Sequence, residues 1–162
     1  MTRTRRALLL LALAVAAAVP AVAATIALHK PPQQEMTEQI ATDKGKMTLV
    51  YRPSVSPRDL GCKAYRGTTV ESYYYQVRDA KGRQRQLVAG TEITTPDPLG
   101  RVRDYYLKAL RGAKARAVGD ARVGRYLITR DRGNEAIVIE ATRPAGKPTT
   151  VKMRRVIQAA PR

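Results

Sequence analysis

Apolar and polar residues alternate along most of the chain beyond residue 45, and this two-residue period predicts β-strands. In residues 136–142, Ile137 and Ile139 share one face and Glu140 lies on the other, so the isoleucines are expected to face the core. Two segments between strands have the composition of hairpin turns, residues 79–82 and 131–134. The predicted strands are residues 46–52, 60–65, 68–78, 83–94, 122–130, 136–142 and 150–158.

A different period, of three to four residues, occurs in one long segment and predicts a helix over about residues 97–113. Asp97 is the expected N-cap, and Pro98 suits the first helical position. Met36 and Ile40 are four residues apart, which predicts a short helix within residues 35–42. The apolar stripe of the long helix consists of Leu99, Val102, Tyr106, Ala109, Leu110 and Ala113.

These elements predict an α+β fold, an antiparallel sheet of about five to seven strands covered on one face by the long helix. The strands and the helix form a single domain over residues 46–158, and residues 159–162 are a tail. Residues 24–45 are expected to contain a linker followed by the short helix. The linker is expected because paired prolines at 31 and 32 favour an extended chain.

The first 23 residues are typical of a bacterial export signal. Three arginines precede an unbroken apolar run over residues 7–19, then Pro20 and the small-x-small pattern of residues 21–23 provide a cleavage site after Ala23. The apolar character continues to about residue 28, so an uncleaved membrane anchor is the alternative. Residues 4–9 also resemble a twin-arginine motif. The body of the protein is expected in the periplasm, secreted, or anchored at the inner membrane.

Charge narrows the expected partners. The 162 residues carry a formal net charge of +17, which attracts anionic surfaces. A GC-rich genome also favours arginine and alanine in any protein, so part of the positive charge is a codon effect. The charge is therefore not taken as a sign of nucleic-acid binding, and nucleic acid is not the expected partner. The expected ligands are an anionic envelope polymer, lipid head groups or an acidic protein, and the alternative is a charged face kept for solubility. The candidate basic surface is Arg101, Lys108, Arg111, Lys114, Lys152, Arg154 and Arg155.

The run of tyrosines at 73–75 has two interpretations. Alternation puts Tyr73 and Tyr75 on one face of their strand and Tyr74 on the other. Because the chain has no Phe and no Trp, the expected role of the run Tyr73, Tyr74 and Tyr75 is core packing with a solvated hydroxyl. The alternative is an aromatic surface on which sugar rings or bases stack.

Few residues are suited to catalysis or to metal binding. Cys62 is the single cysteine and His29 the single histidine, so no internal disulfide, ordinary zinc site or Cys–His pair is expected. Cys62 is either a small buried residue or the site of an intermolecular disulfide. No cofactor, metal site or catalytic residue is predicted.

The sequence therefore predicts an exported basic protein. The favoured interpretation is a non-catalytic binding or accessory domain rather than an enzyme. One alternative is an envelope hydrolase or hydrolase inhibitor with a groove beside the tyrosine strand. Another is a membrane-anchored subunit of an envelope assembly. The oligomeric state is not predicted.

Overall fold

A computed structural model of the protein describes residues 34–42, 45–118 and 123–159. The predicted export signal and His29 lie outside these residues. The described chain forms one antiparallel sheet of eight strands in the order β1-β2-β3-β4-β8-β7-β6-β5. The elements are β1 Met36–Thr42, β2 Gly45–Arg52, α1 Pro57–Leu60, β3 Thr68–Arg78, β4 Gln84–Thr95, α2 Leu99–Ala109, β5 Lys114–Ala117, β6 Val123–Arg132, β7 Glu135–Pro144 and β8 Thr149–Gln158.

The predicted α+β class is wrong, because the protein is mostly β. The sheet has eight strands, and the two helices of the described chain have only 4 and 11 residues. Of the segment predicted as one helix over 97–113, only α2 is helical, and a turn at residues 110–113 leads from it into the edge strand β5. Gly112 adopts a positive φ of 85° between them, a conformation that glycine adopts without steric cost.

The start of α2 also differs from the prediction. Pro98 is the N-cap, and no side chain caps the helix. The carboxylate of Asp97 instead accepts hydrogen bonds from the Tyr65 hydroxyl at 2.7 Å and from Arg66 Nε at 2.9 Å. The Arg66 and Tyr65 hydrogen bonds hold the pKa of Asp97 below its usual value. Asp97 therefore ties the loop before β3 to the start of α2.

Two further segments were assigned wrongly. Residues 36–42, expected to be helical, form β1, which pairs with β2 without a break in register. Met36 and Ile40 lie on one face in either structure, since a separation of four residues fits both periods. Residues 60–65, expected to be a strand, consist of the last residue of α1 and an irregular segment after it. This short helix has a capping box between Ser56 and Asp59.

The core lies between the helices and one face of the sheet. Val102 and Tyr106 of α2 are fully buried there, as are Ile137 and Ile139 of β7. The predicted inward position of the two isoleucines is therefore confirmed. Further buried members of this core are Leu60, Tyr65, Tyr74, Leu87, Ala89, Ile93, Leu110, Ile128, Ala141, Val151 and Met153. We call this side of the sheet the covered face.

Within the described residues, no helix has both the length and the apolar composition required to cross a membrane.

Candidate binding face

The side of the sheet that points away from α1 and α2 is the candidate site, and we call it the open face. Along β7, Val138 is 37% exposed, whereas its neighbours Ile137 and Ile139 on the covered face are 0% exposed. Lys152 on β8 is 62% exposed, and the adjacent Met153 on the covered face is 2% exposed. The alternation of side chains along each strand therefore separates a dry face from a solvated one.

Six residues that are directly opposite one another on successive strands cross the open face, and we call them the central row. Adjacent strands lie about 4.8 Å apart, so the row spans about 24 Å at right angles to the strands. An aromatic residue stands at one end and a cation at the other. From β3 to β5 the central row is Tyr73, Gly90, Arg154, Val138, Thr129 and Lys114.

Tyr73 lies against the sheet because its neighbour in the row is a glycine. A Cβ on Gly90 would lie 2.4 Å from Cζ of the Tyr73 ring, too close for any real contact. Arg154 Nε donates a hydrogen bond to the Tyr73 hydroxyl at 3.1 Å and fixes the outer end of the ring. The irregularities of the β3–β4 ladder lie between Thr69 and Glu71 and between Val77 and Arg78, away from Gly90.

Of the three tyrosines for which core packing was expected, only Tyr74 lies in the core. Tyr74 is the buried one, at 6% exposure, and Arg52 stacks on its ring at 3.9 Å from the centroid. Tyr73 and Tyr75 point to the open face, with ring centroids 5.8 Å apart. Alternation along β3 was predicted correctly, but which of its faces meets the helices depends on the register with β4, which a single strand does not reveal.

A second row beside the central row carries alternating charge, and we call it the charged row. Lys152 Nζ lies 3.2 Å from Glu92 Oε2, and Arg125 pairs with Glu140 at 3.0 Å. Glu71 has no cationic partner within the described residues. The parts of the two rows on β3, β4, β8 and β7 line a shallow groove of about 430 Å³, which does not extend to β6 or β5. From β3 to β5 the charged row is Glu71, Glu92, Lys152, Glu140, Leu127 and Arg116.

On the other side of the central row, the open face is apolar. Tyr75 contacts Tyr51 with ring centroids 4.8 Å apart, and Tyr51, at 3% exposure, is the buried member of this row. Burial raises the pKa of the Tyr75 hydroxyl to about 12, so Tyr75 stays neutral at physiological pH. From β1 to β7 this apolar row is Met36, Tyr51, Tyr75, Val88, Val156 and Ala136.

Cations concentrate around the edge strand β5. Lys114 and Arg116 point to the open face, while Lys108 and Arg111 at the end of α2 are exposed on the helix side. Arg132 donates a hydrogen bond from Nη2 to the Arg111 carbonyl oxygen at 3.3 Å. In the part of the chain that the structure describes, none of these five side chains forms an ion pair. We call the five residues the cationic edge.

The seven predicted basic residues therefore do not form one surface. Lys108, Arg111 and Lys114 belong to the cationic edge, whereas Lys152 and Arg154 line the groove. Arg101 lies apart from both, on the first turn of α2, 3.9 Å from Asp97. Arg116 and Arg132, which sequence reasoning missed, complete the edge. The alternation of residues 114–117 (KARA) was the signal available for Arg116.

Arg155 differs from its neighbour Arg154 because it points to the covered face. Its Nε donates to Glu135 Oε1 at 2.6 Å, and its Nη1 donates to the Arg58 carbonyl oxygen at 2.6 Å. Arg130 Nη2 donates to the other oxygen of Glu135 at 2.9 Å. Arg155 therefore connects α1 to β8 and β7, and its hydrogen bonds stabilise the fold.

Cys62 lies half-buried near the same network. Burial raises the pKa of its thiol to about 11, although Arg130 and Arg155 act in the opposite direction. A thiol with this pKa is almost entirely protonated at neutral pH, so Cys62 is a poor nucleophile. The described residues contain no histidine that could deprotonate it.

Carboxylates are the remaining candidates for chemistry. Among the residues that the structure describes, no three His, Cys, Asp or Glu side chains form a group that could hold a metal ion. Three glutamates, Glu71, Glu92 and Glu140, do line the open-face groove. With the tyrosine and the cations beside them, they provide both acceptors and donors of hydrogen bonds to a polar ligand.

Comparison with protein-family models, with curated proteins and with solved structures found no match to this chain.

Proposed function

We propose that this protein is an exported, non-catalytic binding domain for an anionic component of the bacterial envelope. The observation that carries the proposal is the cationic edge. Its five side chains have no ion-pair partner in the described chain, whereas the arginines that hold the fold, such as Arg155, are paired. Unpaired cations close together raise the local concentration of anions and strengthen their binding.

The shape of the open face supports binding of an extended ligand. The groove is shallow and lies across the strands, and two residues of the cationic edge, Lys114 and Arg116, lie on the same face. A ligand that follows the rows therefore meets the edge cations without leaving the sheet. Export is supported by the arginines and the apolar run of the first 23 residues.

The test compares two double variants of the exported protein. Lys114→Ala/Arg116→Ala removes two cations of the edge, and Lys81→Ala/Lys147→Ala removes two exposed cations from hairpin turns. The probes are polyphosphate, alginate and vesicles containing phosphatidylglycerol, titrated at low and at high salt. We expect the edge variant to weaken binding of at least one probe about tenfold or more, and the turn variant to have little effect.

Added salt is expected to weaken the wild-type protein's binding further, because exposed charges are screened. Absence of binding to all three probes at low salt, or an equal loss in both double variants, would contradict the proposal.

A second candidate function is hydrolysis of a glycan, favoured by the three glutamates that line the groove. Hydrolysis of a glycosidic bond requires two carboxyl groups on either side of that bond. Glu71→Gln and Glu92→Gln test this candidate, since each substitution removes one carboxylate and preserves its size. New reducing ends released from alginate by the wild-type protein, and absent with both variants, would make the groove catalytic.

A further inference from the structure

We infer that the ligand of the open face is an acidic polysaccharide, which lies across the strands along the central row. This inference rests on the proposed function and specifies its ligand. One sugar ring stacks on Tyr73, and acidic groups of the chain meet Arg154 within the groove and Lys114 with Arg116 at the edge.

Tyr73 has the geometry that stacking requires. Gly90 lets the ring lie against β4, and the hydrogen bond from Arg154 holds its hydroxyl, so the ring is fixed before a ligand arrives. A fixed ring loses little conformational entropy on binding. The apolar C–H face of a sugar can then cover an aromatic surface that water otherwise contacts.

The cations are placed for a ligand that carries acidic groups at intervals. Arg154 has no carboxylate partner among the described residues, and its Nε alone is used by Tyr73. It lies two strands from Tyr73 along the central row, and Lys114 lies three strands further on. This row of about 24 Å suits an extended polymer that spans several units rather than a single small anion.

The glutamates of the charged row distinguish a sugar from other anions. Glu71, which has no cationic partner among the described residues, would repel polyphosphate or an anionic lipid surface, neither of which brings many hydrogen-bond donors, whereas Glu92 and Glu140 are paired with Lys152 and Arg125. Sugar hydroxyls donate to carboxylates, so a polysaccharide satisfies the same side chains. A saccharide that is also acidic is therefore the chemistry that fits the glutamates, the cations and the tyrosine together.

Four variants of the exported protein test the stacking site, with alginate as the acidic polysaccharide, dextran as a neutral one and polyphosphate as an anion without sugar. Tyr73→Ala removes the ring, and Tyr73→Phe keeps it. Gly90→Ala leaves the tyrosine in place but displaces its ring, since the added Cβ would occupy the same space. The matched control is Tyr126→Ala, which removes a half-buried tyrosine that points to the covered face.

We expect Tyr73→Ala and Gly90→Ala to weaken alginate binding about tenfold and to leave polyphosphate binding unchanged. Tyr73→Phe and Tyr126→Ala should bind alginate nearly as the wild type does, and dextran should bind more weakly than alginate. Thermal unfolding of each variant shows whether the fold is retained, and Gly90→Ala, which keeps the tyrosine but displaces its ring, remains informative if Tyr73→Ala unfolds.

The outcomes separate this inference from the proposed function. If alginate and polyphosphate bind equally and Tyr73→Ala and Gly90→Ala affect neither, the sugar-stacking site is overturned while anion binding stands. If no anion binds, both the inference and the proposed function fail.

Discussion

Arg154 and Arg155 are consecutive residues of β8 whose side chains point to opposite faces of the sheet. Arg154 is exposed and bonds a tyrosine hydroxyl, whereas Arg155 pairs with Glu135 and is 17% exposed. Charge alone therefore does not separate a binding residue from a structural one. The separation depends on which face each side chain occupies, and on whether a carboxylate on that face lies within hydrogen-bonding distance.

The first prediction concerns Glu135, which accepts hydrogen bonds from both Arg130 and Arg155. Glu135→Ala leaves two largely buried guanidinium groups without a carboxylate. We expect it to lower the free energy of unfolding by about 3 kcal/mol, because an unpaired buried charge is costly. Chemical denaturation of the wild type and the variant measures this difference.

The control for this experiment is Glu140→Ala. Glu140 pairs with Arg125 on the open face, and their side chains are 37% and 42% exposed. Pairs of this kind contribute less than about 1 kcal/mol. Similar losses in the two variants would show that the Arg130–Glu135–Arg155 network does not stabilise the fold.

The second prediction concerns Cys62. Burial raises the pKa of its thiol to about 11. At pH 8 its thiolate fraction is about 100-fold below that of a thiol with an ordinary pKa near 9. Alkylation by iodoacetamide should therefore be at least that much slower in the folded protein than in denaturant, as followed by mass spectrometry. Rapid alkylation of the folded protein would instead identify Cys62 as an accessible, reactive thiol.

At the scale of elements, the hairpin between β3 and β4 gives the third prediction. Asp79 accepts hydrogen bonds from Arg83 Nε at 2.8 Å and from the backbone N–H groups of Lys81 and Arg83. These bonds, with that of the Arg83 side chain the strongest, lower the pKa of Asp79 to about 2. The unfolded chain has an aspartate pKa near 3.9.

Because the folded pKa is the lower one, Asp79 stabilises the hairpin fully above about pH 4, and this contribution is lost as the pH falls from 4 towards 2. We expect Asp79→Asn to lower the Tm at neutral pH and to have a smaller effect near pH 2. Thermal unfolding between pH 2 and pH 7 measures both proteins. A gap in Tm that stays constant over this range would contradict the linkage.

The elements that were predicted well from the sequence are those in which the spacing of apolar residues fits a strand but not a helix, or a helix but not a strand. The alternation of residues 136–142 and 150–158 led to β7 and β8 and to their inward side chains. Residues 36–42 were misassigned because the spacing of Met36 and Ile40 fits a helix and a strand, and pairing with β2 decides between them. Long-range pairing is not visible in a local pattern.

The candidate site was only partly predictable for the same reason. The central row joins residues from six strands, and its order depends on the crossover that places β8 between β4 and β7. Sequence reasoning found Tyr73, Arg154 and Lys114 but could not bring them together. It also could not show that Gly90 would lie beneath the Tyr73 ring.

At the scale of the whole molecule, the net charge of +17 would oppose close approach of two copies and favour anionic partners. The apolar row on the open face adds surface that a ligand can remove from water. The binding domain that we propose would act where anionic polymers are abundant. The proposed export would bring it to the bacterial envelope, which meets that condition.

The last prediction is therefore the intact mass of the protein recovered from the envelope fraction of expressing cells. Pro20 and the small residues 21–23 favour cleavage after Ala23, so we expect a mass that begins at Ala24. Ala23→Trp, which removes the small residue before the cleavage site, should yield the full-length mass. A full-length mass for the wild type would mean that the apolar run stays in the membrane, which favours a subunit of an envelope assembly. A doubled mass that reductant returns to the monomer value would assign Cys62 to an intermolecular disulfide, against the burial that its thiol shows.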